Sequence, residues 1–137
     1  ACHSMRGSHI AIIVTARTGA TGVRVERIHA MADCGRLINP DLARQQIEGG
    51  IIFGLAHALG AVTDFESGMP TARRLRDIDL PKLVDVPDIT VEFVRNDAAP
   101  GGVTELGVPA VAPAIANALF SASGIRLREL PLLSKGL

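Results

Sequence analysis

The chain has 137 residues, enough for one domain with its own apolar core. Fourteen basic residues balance fourteen acidic ones, so there is no basic field to hold a nucleic acid or an anionic membrane. Four Phe, no Tyr and no Trp leave the core to Ile, Leu, Val and Ala.

The opening ACHSMRGSH has no apolar stretch of the kind a signal peptide carries, and no leading Met. It is expected to be an internal start within a longer chain, which leaves the compartment open between cytoplasm and periplasm. HIAIIVTAR (9–17) and VRVERIHAMAD (23–33) are β-prone runs joined by TGATG, and they predict a β-hairpin with a five-residue connection. Val23, Val25 and Ile28 break strict alternation, which predicts a bulge near Arg27. Asn39-Pro40-Asp41 is a helix start: a capping side chain, a proline at the first helical position and an acid at the positive end. Leu42, Ile47, Ile51, Leu55 and Leu59 then mark one helical face, closed by Gly60. Gly49, Gly50 and Gly54 inside that helix cost up to about 1 kcal/mol each against Ala. They predict a close approach, either by another helix or by a ligand.

AVTDFES (61–67) predicts a strand, and 68–88 an extended surface crossing whose Arg73, Arg74 and Arg76 are a solvated face. DITVEFV (88–94) alternates as a half-buried strand. PAVAPAIANALFSASG predicts a helix with Pro113 near its first turn and Gly124 beyond its end, apolar on nearly every side and therefore buried. The tail IRLRELPL is left between a short strand and a surface wrap. The expected fold is α+β: a hairpin, a helix, two strands and a second helix, in a single domain over 1–137 with a small mixed sheet packed on two helices.

Three features could carry chemistry. The Gly-Gly loop at 101–107 can offer backbone N–H groups to an anion, but it is neither a Walker nor a Rossmann motif. Glu105 is either a carboxylate favoured by the helix dipole, open to water, or a general base in a dry pocket. Cys34 follows Asp33 and is better suited to a small buried hydrophobe than to a nucleophile. Cys2 and Cys34 can pair only if the fold brings them together. The Cys and His spacings match no metal motif, so no protein-ligated metal is expected.

Three segments in order carry a resemblance: DCGRLINPDLARQQIEGGIIFGLAHAL, DLPKLVDVPDITVEFV and PGGVTELGVPAVAPAIANALFSASGIRLRELPL. The chain resembles, from about Gly7 to Leu132, the C-terminal end of the molybdopterin-binding large subunit of the xanthine dehydrogenase/aldehyde oxidase family. The wording looks closest to isoquinoline 1-oxidoreductase β-subunit-like proteins. That resemblance implies a molybdenum hydroxylase with a pterin cofactor, in its cytosine dinucleotide form. Such an enzyme oxidises an N-heterocyclic or aldehyde carbon with oxygen from water. It also implies electrons leaving through [2Fe–2S] clusters on a partner subunit. The family's GVGE appears here as Gly102-Val103-Thr104-Glu105, which makes Glu105 the general base on the Mo–OH group. Gly102, Val103 and Thr104 would line the cofactor, and Gln46 of QxEGG would reach the pterin. Thr104 stands for a glycine and would be strained if that position has positive φ. Leu106 stands for the usual proline. Taken alone, the segment is expected to bind no cofactor, to be inactive, and to pair with a second copy through exposed apolar faces. The alternative is a non-catalytic scaffold or subunit-contact relative of the same fold.

Overall fold

The computed structural model describes residues 1–19 and 22–132. The elements in order are β1 (Cys2–Met5), β2 (Ser8–Gly19), β3 (Gly22–Asp33), α1 (Pro40–Leu59), β4 (Phe65–Glu66), β5 (Met69–Pro70), β6 (Asp88–Phe93) and α2 (Val108–Ser123). β1, β2, β3 and β6 form one sheet in that order, antiparallel except for the parallel β3–β6 pair. The parallel pair requires a long crossover, and α1 lies within it. The α+β architecture with a small mixed sheet on two helices is the one expected.

The bulge explains how β3 serves the core. Thr15 pairs Arg27 and Ala16 pairs Val25, so Glu26 is the extra residue. Val25 and Ile28 are three apart and would face opposite sides of a regular strand. With Glu26 bulged out, both are buried, at 5% and 0% exposure. Ile10, Ile12, Ala30, Ala32 and Val91 complete the sheet's inner face, and Ile47, Ile51, Leu55, Val111, Ile115 and Leu119 pack onto it from the helices. The outer face keeps Ile13 and Met31 exposed.

α1 begins as expected, with the Asn39 side chain accepting from the Leu42 N–H at 3.1 Å, and it ends at Gly60. Arg44 ties it to the sheet by donating to the Val91 carbonyl and lying 5.5 Å from the Phe93 ring.

Several expectations are corrected. The hairpin connection is shorter than five residues, since pairing continues to Gly19 and Gly22. β1 was not foreseen; a four-residue strand holding Cys2, His3 and Ser4 carries little β signal and forms because β2 offers it an edge. The strand expected over 61–67 shrinks to Phe65–Glu66, paired only with β5, because that segment leaves the main sheet. Pro109, not Pro113, occupies the first turn of α2, and Pro113 lies inside the helix. α2 buries Ala110, Val111, Ala114, Ile115 and Leu119 but leaves Pro113, Asn117 and Ser121 outside, so it covers the sheet with one face only. The tail forms no strand among its described residues. It wraps back so that the Leu132 N–H donates to the Ala58 carbonyl at 2.7 Å and the Leu132 side chain is buried. Arg73, Arg74 and Arg76 are exposed, as expected.

Candidate active site

The loop ahead of α2 is pinned from three sides. The Gly101 N–H donates to the Cys34 carbonyl at 2.9 Å, the Gly102 N–H to the Arg6 carbonyl at 3.0 Å, and the Arg36 N–H to the Ala98 carbonyl at 3.0 Å. Side chains have little room at this junction. A Cβ on Gly101 would collide with the Ser8 hydroxyl and stand 2.8 Å from the Gly7 carbonyl. Gly35, at φ 66°, would drive a Cβ into the Ala99 carbonyl.

Asp33 ends β3 and organises this corner. It accepts from the Gly35 N–H at 3.1 Å and from the Asn96 side-chain amide at 2.5 Å. Those bonds, the Gly35 N–H first and Asn96 second, hold its carboxyl below the ordinary carboxylate range; burial opposes them, and His9 adds a smaller effect in the lowering direction. Because the folded form is the more acidic, the contribution of Asp33 to stability is complete above its unfolded pKa of about 4 and fades as pH falls through the lower folded value. Parent and Asp33→Asn melting temperatures should therefore differ most near neutrality and converge below about pH 4. A gap that stays constant from pH 7 to 3 would contradict this.

Cys34 is buried, and burial pushes its thiol up, with Asp33 adding to the rise and Ser8 opposing it. A nucleophilic Cys34 is thereby disfavoured. Ser8 has no exposed surface, and its hydroxyl has no well-formed hydrogen bond, although the Cys34 thiol interacts with it. Cys2 is exposed, and both cysteines are free.

Glu105 lies in the turn between this junction and α2, with φ 64°. Left-handed backbone at a non-glycine residue costs on the order of 1–2 kcal/mol. The strain considered for Thr104 is thus found one residue later, since Thr104 itself has no positive φ. Beyond Glu105 the chain is fixed tightly. Leu106 is fully buried, which gives the residue in place of the family proline a packing role. Gly107 lies so close to α1 that a Cβ there would meet the Ile47 carbonyl at 2.7 Å and the Ile51 N at 3.1 Å.

The predicted site residues are only partly gathered. Gln46 and Val103 share a groove of about 220 Å³ with Gly101, Leu37, Ala43 and Leu42. Gly102 packs instead against Arg6, while Thr104 and Glu105 are exposed and do not line that groove. The dry pocket expected around Glu105 is not formed by the described residues. Arg6 was missed, though its place three residues ahead of a β-prone run was visible in the sequence.

The glycines of α1 divide into two kinds. Gly54 and Gly50 face α2: a Cβ on Gly54 would meet the Val108 carbonyl at 2.7 Å, and one on Gly50 would touch Gly107 at 3.6 Å. Helix packing explains these two. Gly49 is exposed, and a Cβ there would meet nothing within 4 Å. Gly49→Ala should raise stability by about 0.5–1 kcal/mol. A lower melting temperature for that variant would show that this account of the helix is wrong.

Comparison with known proteins places this geometry. A family model described as a molybdopterin cofactor-binding domain matches residues 3–87. The chain is 36% identical over 114 residues to a membrane-bound aldehyde dehydrogenase (pyrroloquinoline-quinone) of Gluconacetobacter polyoxogenes, covering 82% of this chain and 15% of that protein. It is 34% identical over 127 residues to the isoquinoline 1-oxidoreductase subunit beta of Brevundimonas diminuta, covering 91% of this chain and 16% of that subunit. Among solved structures, the aldehyde oxidoreductase of Desulfovibrio gigas superposes with a TM-score of 0.79 at 27% identity, over 91% of this chain and 14% of that one. The chain therefore spans about one sixth of the length of these relatives. It belongs to the molybdopterin cofactor-binding domains of the xanthine dehydrogenase/aldehyde oxidase family.

Proposed function

We propose that this chain forms one wall of the active site of a molybdenum hydroxylase acting on an aldehyde or an N-heterocycle, with Glu105 as the general base. The observation that carries the proposal is the backbone of Glu105. A glycine would occupy φ 64° without strain, yet the position holds a carboxylate with no ion pair or hydrogen bond among the described residues. Strain kept at a charged, unpartnered residue between two firmly anchored segments is the pattern of a functional group held in place.

The surrounding residues suit a flat, hydrogen-bonding cofactor. The exposed amide of Gln46 is unpartnered among the described residues and shares its groove with the apolar sides of Val103, Leu37 and Ala43. Gln46 would bind a pterin edge, Val103 would cover a face, and Gly102 and Thr104 would contribute backbone on either side. When bound, the molybdenum–pterin group, here proposed in its cytosine dinucleotide form, supplies the oxygen and takes up the electron pair of the oxidised carbon. Glu105 accepts a proton at a carboxylate oxygen, and the anchored turn fixes the backbone from which that side chain projects. Exclusion of water from the site falls to polypeptide beyond this chain. Further partners proposed are the rest of such a subunit and an iron–sulfur subunit that carries electrons away. In the chain alone, exposed Ile13 and Met31 would favour pairing with a second copy.

The complete subunit purified with its iron–sulfur partner should contain molybdenum and pterin, and should place oxygen from labelled water, not from labelled dioxygen, in the oxidised product. Absence of molybdenum from an otherwise folded complex would favour the scaffold alternative.

A further inference from the structure

Arg6 is a charged group beside the loop that leads to Glu105, and the proposed site leaves it unused. With Gly7 it forms the turn between β1 and β2, and both residues have positive φ, 51° and 76°. A hairpin turn of this kind favours Asn, Asp or Gly at its first position, so the turn by itself gives no reason for an arginine. The side chain lies along Gly102. Its β-, γ- and δ-carbons stand 3.1, 3.8 and 3.4 Å from where a Cβ on Gly102 would be. The backbone carbonyl of Arg6 meanwhile accepts from the Gly102 N–H.

The stem of Arg6 is therefore fixed against the loop that leads to Glu105, while its residue is exposed and its guanidinium has no ion pair or hydrogen bond among the described residues. Several other arginines are engaged, although Arg24, Arg36 and Arg95 also lack a side-chain partner among the described residues. Arg17 pairs with Glu26, Arg27 with Asp88, and Arg126 lies over the Phe120 ring. The stem of Arg6 thus meets the loop at Gly102, three residues before Glu105, and no ion pair joins the two side chains.

We propose that Arg6 is a specificity-determining residue of this site, whose guanidinium takes a carboxylate carried by the substrate ring in a two-pronged, charge-assisted hydrogen bond. The inference rests on Glu105 being the base. A substrate with its own carboxylate meets a second acidic group in Glu105, and a cation on the neighbouring turn offsets their like charge. A neutral substrate gains nothing from it.

The test is equilibrium binding of benzoate, and of its neutral counterpart benzamide, to the complete cofactor-loaded subunit. Parent, Arg6→Asn and Arg6→Lys are compared. Asn tolerates left-handed backbone, so Arg6→Asn should keep the turn and melt no lower than the parent. Arg6→Asn should weaken benzoate by about tenfold or more and leave benzamide within about twofold. Its molybdenum and pterin content should stay parental, and Arg6→Lys should recover part of the loss. Equal benzoate affinity in parent and Arg6→Asn overturns the inference, as does a parent that binds benzoate no better than benzamide. Loss of pterin from Arg6→Asn also overturns it, by moving the guanidinium to a phosphate of the cofactor. Parental turnover in Glu105→Gln would instead remove the base. Unchanged benzoate binding in Arg6→Asn, alongside an inactive Glu105→Gln, would count against Arg6 alone.

Discussion

Glu105→Gln, made in the complete subunit with its iron–sulfur partner, should lower kcat by about 10²–10⁴-fold while leaving molybdenum content and melting temperature unchanged. Glutamine matches glutamate in shape and bears the same left-handed strain, so the turn should persist. What it lacks is an oxygen basic enough to accept a proton. Glu105→Gly separates the two contributions further. It removes the carboxylate and the strain together, at φ 64° where glycine is at ease. This variant should be as inactive as Glu105→Gln yet melt no lower than the parent. Turnover near the parental rate in either variant would end the assignment of Glu105 as base. A large fall in melting temperature for Glu105→Gly would show that the side chain serves the fold instead.

Gly107→Ala should destabilise the protein by about 1–3 kcal/mol, as overpacking of a close contact does. The added methyl has no easy escape, because the atoms it would meet first are the Ile47 carbonyl, an Ile51 side-chain carbon and the Ile51 backbone N. The backbone of Gly107 is ordinary right-handed helix at φ −71°, so the penalty is contact and not conformation. Separating α2 from α1 also shifts the turn that carries Glu105, two residues earlier. The variant should therefore lose activity beyond what partial unfolding explains, with kcat falling below the parental value even at temperatures where it is fully folded. Thermal unfolding followed by circular dichroism checks the first effect. A parental melting temperature would show that the helices can part without cost.

Secondary structure that depends on local chemistry was legible along the chain. The start of α1 follows from Asn39, Pro40 and Asp41, whose effects act within one turn. The bulge beside Arg27 follows from Val25 and Ile28 both being apolar at a spacing of three. Where burial or pairing depends on distant chain, the sequence was a poor guide. β1 exists through its pairing with β2, and the strand expected over 61–67 lost most of its length because that segment does not reach the main sheet. α2 is apolar in composition, yet no local signal says that only one of its faces is covered by this chain.

The candidate site divides in the same way. The Gly-Gly loop, the acid at 105 and Gln46 could be singled out from residue order, because the family resemblance is carried by short contiguous motifs. That Gln46 and Val103 share a groove was not legible, since it depends on how α1 meets a loop some 50 residues later. Nor was the contact of Arg6 with Gly102, which joins residues nearly 100 positions apart. The sequence by itself determined which residues are acids, caps and breakers, and with them the β2–β3 hairpin, the two helices, β6 and the family. Only the tertiary structure decided that Glu105 and not Thr104 takes the left-handed backbone, and that Gly107 seats it against α1. Backbone strain and close approach arise between segments far apart in the chain, and no local propensity encodes them.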